Sequence, residues 1–266
     1  MLEKGDGAYM AISVFKRYEK KFIVTKSQYE ELLSLIEQYM DTDKYCLDGR
    51  SYRICNLYFD TPNNDIIRHS ISKPYHKEKL RLRSYDRAQL DDTVYLELKK
   101  KTGRIVTKRR VGMTLRQAYD YIYNDVRPDK EKYLPNQVLN EIDYFRKINP
   151  CAPVMFVSYD RRAFFEKNNG DVRITFDFNI LTRRHGLDLS LPVTGERLIP
   201  EDMMIMEVKV PNAIPLWLAR RLSEMGIYMT SFSKYGREYR KMILDDYLLT
   251  SVDERKSTWY GCRRSD

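Results

Sequence analysis

The chain has little of what covalent and metal catalysis usually draws on. Among 266 residues there are three histidines and four cysteines. His69, His76 and His185 are scattered, and Cys46, Cys55, Cys151 and Cys262 include no C-x-x-C pair. That excludes a zinc ribbon, a thioredoxin-type redox site and a histidine metal centre, and a reduced compartment is the simplest setting for such cysteines. No apolar run approaches the roughly 20 residues that span a bilayer. Residues 1–10 carry acids and glycines and lack the apolar stretch of a signal peptide. Also missing are a Gly-rich phosphate loop, an internal repeat, a low-complexity tract and a Gly/Ser linker. The expectation is one cytoplasmic domain over residues 14–250, with a loose leader over 1–13 and a charged tail over 251–266.

What the chain has in quantity is charge. Lys and Arg number 47 against 38 Asp and Glu, a net of +9, and 32% of residues are charged. The excess favours an anionic partner (nucleic acid, a phosphate compound or acidic lipid) without choosing among them. The charge is also patterned. In Lys79-Leu80-Arg81-Leu82-Arg83-Ser84-Tyr85 the leucines take one face of a strand and three cations the other, about 7 Å apart in succession. Residues 94–99 repeat this, with Glu97 and Lys99 opposite Val94, Leu96 and Leu98. So do Glu19 and Lys21 opposite Phe22 and Val24, Arg173 and Asp177 opposite Ile174 and Phe176, and Glu207 and Lys209 opposite Met206 and Val208.

Counted this way, strands fall at 15–24, 52–59, 79–85, 94–99, 104–112, 154–165, 172–180 and 203–210. The apolar spacing predicts helices at 25–40, 64–72, 114–124, 136–147, 215–225 and 235–248. Ser27-x-x-Glu30 has capping-box spacing for the first helix, and Asn168-Asn169-Gly170-Asp171 reads as a hairpin turn. Helices with apolar stripes cover the apolar faces of strands, so the charged faces point away from them. If the eight strands close, those faces line an interior holding Arg17, Lys21, Lys79, Arg81, Arg83, Lys99, Arg173 and Lys209 with Glu19, Glu97, Asp177 and Glu207. Such an excess of enclosed cations requires counter-anions. Arg forks and Lys point charges suit phosphate oxygens, and the carboxylates suit a hard divalent cation. The alternative is an open sheet whose charged face is simply wet. Lys100, Lys101, Arg109 and Arg110 read as outer, solvated charges.

The order of Tyr18-Glu19-Lys20-Lys21-Phe22, Tyr58-Phe59-Asp60-Thr61, Leu80-Arg81-Leu82-Arg83, Leu96-Glu97-Leu98-Lys99, Tyr159-Asp160-Arg161-Arg162, Met206-Glu207-Val208-Lys209 and Phe232-Ser233-Lys234-Tyr235 resembles the VTC domain, the polyphosphate polymerase module of the triphosphate tunnel metalloenzymes. The resemblance implies an α+β fold, a closed antiparallel eight-stranded tunnel with helices packed on the outside. It implies transfer of the γ-phosphoryl of ATP to inorganic polyphosphate, with Mn²⁺ or Mg²⁺ as cofactor. On this resemblance Lys21, Arg81, Arg83, Lys99 and Arg161 grip phosphates, and Lys209 and Lys234 neutralise charge on the transferring group or product. Ser233 donates to phosphate, and Lys79 and Arg173 extend the anion-binding surface. Glu207 holds the metal, helped by Glu19 or Glu97. Two departures matter. Ser231 stands where the yeast catalytic subunit has a second lysine, which implies a weaker grip on the product. The opening motif is Glu19-x-Lys21, with Arg17 where the hydrolase and cyclase branch has a first glutamate, and this argues for the polymerase branch. Without an SPX-like segment or an apolar span, any membrane attachment is expected from a separate partner. A triphosphatase and a non-catalytic polyphosphate binder are the alternatives. Nucleic acid is the weaker partner, because the basic face has few interleaved aromatics and its acids repel a phosphate backbone.

Overall fold

In a computed structural model the described residues are 18–103, 105–129, 132–167 and 171–261, with side chains to 247. Arg17, Arg104 and the Asn168-Asn169-Gly170 part of the hairpin turn lie outside them. Eight long strands are present: β1 (Tyr18–Thr25), β3 (Tyr52–Asp60), β4 (His76–Tyr85), β5 (Thr93–Thr102), β6 (Ile105–Thr114), β7 (Ala152–Glu166), β8 (Arg173–Arg183) and β10 (Met203–Val210). Three short ones join them: β2 (Met40–Thr42), β9 (Glu196–Arg197) and β11 (Met229–Thr230). The helices are α1 (Lys26–Tyr39), α2 (Asp65–Ile71), α3 (Leu115–Tyr123), α4 (Tyr133–Ile148), α5 (Leu216–Glu224) and α6 (Lys234–Gly261). The last helix runs well past 248, so most of the expected charged tail is helical.

The expectation of a closed eight-stranded tunnel is corrected. The sheet has eleven strands in the order β11-β1-β10-β8-β7-β3-β4-β5-β6, with β2 on β7 and β9 on β8. Among the described residues its ends do not meet by hydrogen bonds: the free edge of β1 is taken by β11, which pairs at Lys21 and Phe22. The sheet is nevertheless deeply curled. β1 and β5 stand six places apart in the order, which is about 29 Å in a flat sheet. Yet Lys99 Nζ of β5 lies 3.6 Å from Glu19 Oε2 of β1. The result is a trough with a charged concave face.

Alternation decides which side chains face out. On the convex side Leu57, Leu80, Leu82, Leu96, Leu98 and Val111 pack with α3 and α4 residues such as Leu115, Ala118, Leu139 and Ile142. Phe22, Val24, Ile174, Met206 and Val208 pack with Leu32 and Ile36 of α1 and Leu218 and Leu222 of α5. A third apolar cluster departs from the expected plan of helices outside. Ile54, Met155, Val157, Tyr159 and Ile205, on the concave side by strand parity, pack with Ile67 of α2 and with Phe232, Tyr235 and Tyr239 at the start of α6. These two helices therefore cover part of the charged face.

The capping box of α1 is also two residues earlier than the spacing suggested. Thr25 Oγ1 accepts from Gln28 N–H at 3.2 Å and Gln28 Oε1 accepts from Thr25 N–H at 3.0 Å. β1 runs straight into the helix, so the cap falls on its last extended residue, Thr25 (φ −77°, ψ 164°).

Candidate functional site

Register brings the charged side chains together. Lys21 pairs across strands with Glu207, Glu207 with Thr175 and Arg161 with Asp177. Farther along, Arg83 pairs with Asn56 and Arg81 with Tyr58. Arg81 then faces Glu97, Lys79 faces Lys99, and Lys99 faces Lys108. Each of these residues shares a strand face with the next, so one continuous ionic surface crosses the trough.

One cluster gathers on β1, β7, β8 and β10. Lys21 Nζ lies 2.8 Å from Glu207 Oε1 and 3.1 Å from Glu19 Oε1. Arg161 donates through Nε and Nη2 to the two Asp177 oxygens at 2.6 and 2.8 Å, and its Nη2 is 3.7 Å from Glu207. Lys234, the first residue of α6, reaches down to Asp177 Oδ2 at 2.5 Å and lies 3.9 Å from Glu207. Lys209 Nζ is 3.4 Å from Glu207 Oε2. Burial opposes ionisation of Glu207 and Asp177, but Lys21, Lys209, Lys234 and Arg161 around Glu207, and Arg161 and Lys234 around Asp177, override it and hold both carboxyls below their usual range. Burial likewise opposes the Glu19 charge, yet Lys99 and Lys21 bring its pKa down to about 2.

The second cluster surrounds Glu97, which is 1% exposed. Arg81 Nη2 lies at 2.8 Å, Arg83 Nε at 3.8 Å, Lys108 Nζ at 2.5 Å and Arg110 Nη1 at 4.0 Å from its carboxylate. Burial works against the Glu97 charge, and Arg81, Arg83 and Lys108 overcome it, lowering its pKa to about 2. Arg83 donates to Asn56 Oδ1 at 2.9 Å and Tyr159 Oη at 3.3 Å. Arg81 donates to Tyr58 Oη at 3.3 Å.

Lys79 is different. Among the described residues no carboxylate lies within ion-pair distance of it, and its ammonium sits 5.9 Å from the Tyr235 ring centre. Burial, with Lys77, Lys99 and Lys21 nearby, pushes its pKa down to about 8. This is a cation held without a counter-charge.

The remaining expected residues are placed as follows. Arg173 lies beside Lys209 in register, its guanidinium over Phe165 and 3.8 Å from Asp43. Ser233 caps α6, accepting from Gly236 N–H at 3.1 Å. Its own hydroxyl proton stays available to donate. Lys100 and Arg109 do face outward, to Glu141 of α4 at 3.2 Å each. Lys101 and Arg110 do not: register puts Lys101 opposite Lys77 on the charged face, and parity puts Arg110 beside Lys108 in the trough, 3.6 Å over the Tyr95 ring. Lys108, Tyr58, Asn56 and Tyr159 are further members that the sequence reading left without a role. The parity of β6 alone did not say which of its two cationic faces turns inward; its pairing with Glu97 and Lys99 does.

No three His, Cys, Asp or Glu side chains cluster tightly enough among the described residues to hold a metal by themselves. Glu19 and Glu207 do converge on the Lys21 ammonium, and the fully buried Thr175 hydroxyl next to Glu207 in register has no hydrogen-bond partner. This all-oxygen set fits a hard divalent cation that takes its other ligands from substrate phosphates. Glu97, engaged by its own cations, belongs to the other cluster.

Comparison with known proteins speaks to the family and the fold. No curated protein matches the chain in sequence. A solved structure of a proposed adenylate cyclase from Bacillus halodurans is 13% identical, with 82% of this chain and 93% of that one covered and a TM-score of 0.50, a likeness of fold. A proposed adenylyl cyclase from Hippeastrum, described as having a dominant triphosphatase activity, is 14% identical over 82% of this chain and 93% of its own, with a TM-score of 0.47. No helix among the described residues is long and apolar enough to cross a membrane. The VTC domain matches residues 16–243, nearly the whole described chain, and the protein belongs to the VTC domain family.

Proposed function

We propose that the protein is a metal-dependent polyphosphate polymerase, moving the γ-phosphoryl of ATP onto the end of an inorganic polyphosphate chain and releasing ADP. The observation that carries this reading is the length of the cationic face. Along β4 the inward cations Lys77, Lys79, Arg81 and Arg83 span seven residues, six steps or about 20 Å at strand rise, more than one triphosphate needs. Facing them are Lys99, Lys108, Arg161, Lys209 and Lys234, with far fewer acids. Such a face takes a multiply charged linear anion.

In the transfer, a terminal oxygen of the acceptor chain bonds to the γ-phosphorus while the bond from that phosphorus to the β–γ bridging oxygen breaks, and the electron pair leaves with ADP. The step needs alignment and charge neutralisation more than a side-chain nucleophile. Arg81, Arg83 and Arg161 hold phosphate oxygens by fork geometry. Lys21, Lys99, Lys209 and Lys234 neutralise charge along the chain, and Lys79, Arg173 and Ser233 extend the binding surface. Glu207 and Glu19 would hold Mn²⁺ or Mg²⁺, whose chemistry is to neutralise phosphate charge. For this Lys21 would exchange the two carboxylates for a phosphate, leaving Glu19 and Glu207 to the cation. Glu97 serves as the fixed counter-charge that orients Arg81 and Lys108.

The test is incubation of the protein with ATP and Mn²⁺ or Mg²⁺, following ADP and acid-labile polymer, beside Glu207→Gln and Arg83→Ala. Polymer matched by ADP, falling at least 100-fold in both variants, is expected; a loss of about 3 kcal/mol of transition-state stabilisation has that size. Free phosphate without polymer would make the protein a triphosphatase. Polyphosphate binding without turnover would make it a binding module.

A further inference from the structure

The two ends of the charged face differ in chemistry. At one end like charges oppose each other across strands: Lys79 faces Lys99 and Lys77 faces Lys101. At the other end four tyrosines stand in a row. Ring centres are 6.2 Å apart for Tyr45 and Tyr52, 6.1 Å for Tyr52 and Tyr85, and 6.0 Å for Tyr85 and Tyr95. The rings are mutually tilted or edge-on, and Tyr85 is 48% exposed. The Arg110 guanidinium lies 3.6 Å from the Tyr95 ring centre. Gly112 leaves room for that ring: a Cβ there would sit 3.4 Å from it.

The register ties this row to the phosphate-binding layer. Tyr95 is the cross-strand partner of Arg83, and Tyr52 is the cross-strand partner of Arg161. Aromatic faces therefore begin one side chain away from the two most buried arginines of the trough. A purely anionic chain gains little from exposed tyrosine rings. A planar, uncharged heteroaromatic group attached to a phosphate chain gains from both, because aromatic and guanidinium planes stack on it.

We propose that the Tyr52–Tyr85–Tyr95 row with Arg110 is a nucleobase platform. The nucleotide enters with its base on this row and its phosphates on Arg83 and Arg161, and the phosphate chain extends toward the lysine pairs at the far end. This deepens the polymerase reading and rests on it for the substrate. The platform stacks on a π-face without a fixed set of donors and acceptors, so it accepts purines with little discrimination between them.

The test is calorimetric titration of the full chain with three ligands: ATP, ribose 5-triphosphate (the same phosphates without a base) and inorganic tripolyphosphate. The wild-type protein is expected to bind ATP about 5- to 100-fold more tightly than ribose 5-triphosphate, the range one base–aromatic stack supports. Tyr85→Leu should narrow that gap, leave tripolyphosphate affinity within about twofold, and be rescued by Tyr85→Trp, with melting temperatures confirming folded variants. Equal wild-type affinity for ATP and ribose 5-triphosphate would overturn the platform whatever the variants do. Parallel weakening of all three ligands in Tyr85→Leu would also overturn it. Both results leave the polymerase reading standing. Failure of the wild type to bind tripolyphosphate would instead sink that reading and the platform with it.

Discussion

Asp177 has no exposed side-chain surface and holds two cations, Arg161 through a fork and Lys234 at 2.5 Å. Removing one member of a buried ion cluster leaves the others uncompensated, at about 3–5 kcal/mol. Asp177→Ala is therefore expected to lower the urea midpoint by that equivalent, while exposed Asp91→Ala, at an ion pair on the surface, leaves it unchanged. Glu97 makes a linked prediction in acid. Its pKa is lowered from 4.5 to about 2, burial opposing and Arg81, Arg83 and Lys108 prevailing. The unfolded chain binds the proton first, so the stabilisation is complete above pH 4.5 and lost as pH falls toward 2. Glu97→Gln should flatten that part of the stability profile. Lys79 has the opposite sign. Burial lowers its pKa from 10.5 to about 8, so between those values the unfolded chain holds more protons and the fold gains stability as pH rises. Anion binding uses the charged form and weakens over the same interval. Titration of tripolyphosphate at pH 7 and pH 9.5 should show that loss, and Lys79→Arg should reduce it.

At the scale of elements, α6 matters through its first residues. Tyr235 donates to Asp60 Oδ2 at 2.6 Å, and Asp60 also accepts from the N–H groups of Ile66 and Ile67 at 2.8 and 2.9 Å at the start of α2. One buried carboxylate thus joins the end of β3, α2 and α6, and holds Lys234 over Asp177. Tyr235→Phe keeps the ring and loses the hydrogen bond, so about 1–3 kcal/mol of stability is expected to go, with weaker polyphosphate binding because Lys234 is less firmly held. Unchanged binding would show that the rest of the helix positions Lys234. Most of the long strands were legible in the sequence because they have one apolar and one charged face, a period-two signal that eight or more residues make plain; β3 and β7, with Ile54, Met155 and Val157 on their inner faces, show it only in part. β2, β9 and β11 have two or three residues, too few to show a period. The placement of α2 and α6 over the charged side was not legible either. Their apolar residues show that they are covered, but nothing local says by which face of the sheet.

For the whole molecule, composition favoured an anionic partner, and the alternation of Arg81, Arg83, Glu97, Glu207 and Lys209 foretold a common charged face. Closure did not follow from that pattern. It depends on which strand edges remain free, and the two-residue β11 occupies the edge that β6 would have needed. The trough instead reaches across itself through side chains, as in Lys99 to Glu19, and its cations form a track longer than one triphosphate. On the proposed function this track receives both a nucleotide and an acceptor chain. The most direct test is to supply ATP labelled at the γ-phosphate, with Mn²⁺ and a short polyphosphate primer, and to follow the label. Label is expected in lengthened, acid-labile polymer, with one ADP formed for each phosphoryl moved. Label recovered wholly as free phosphate, with the primer unchanged in length, would contradict it.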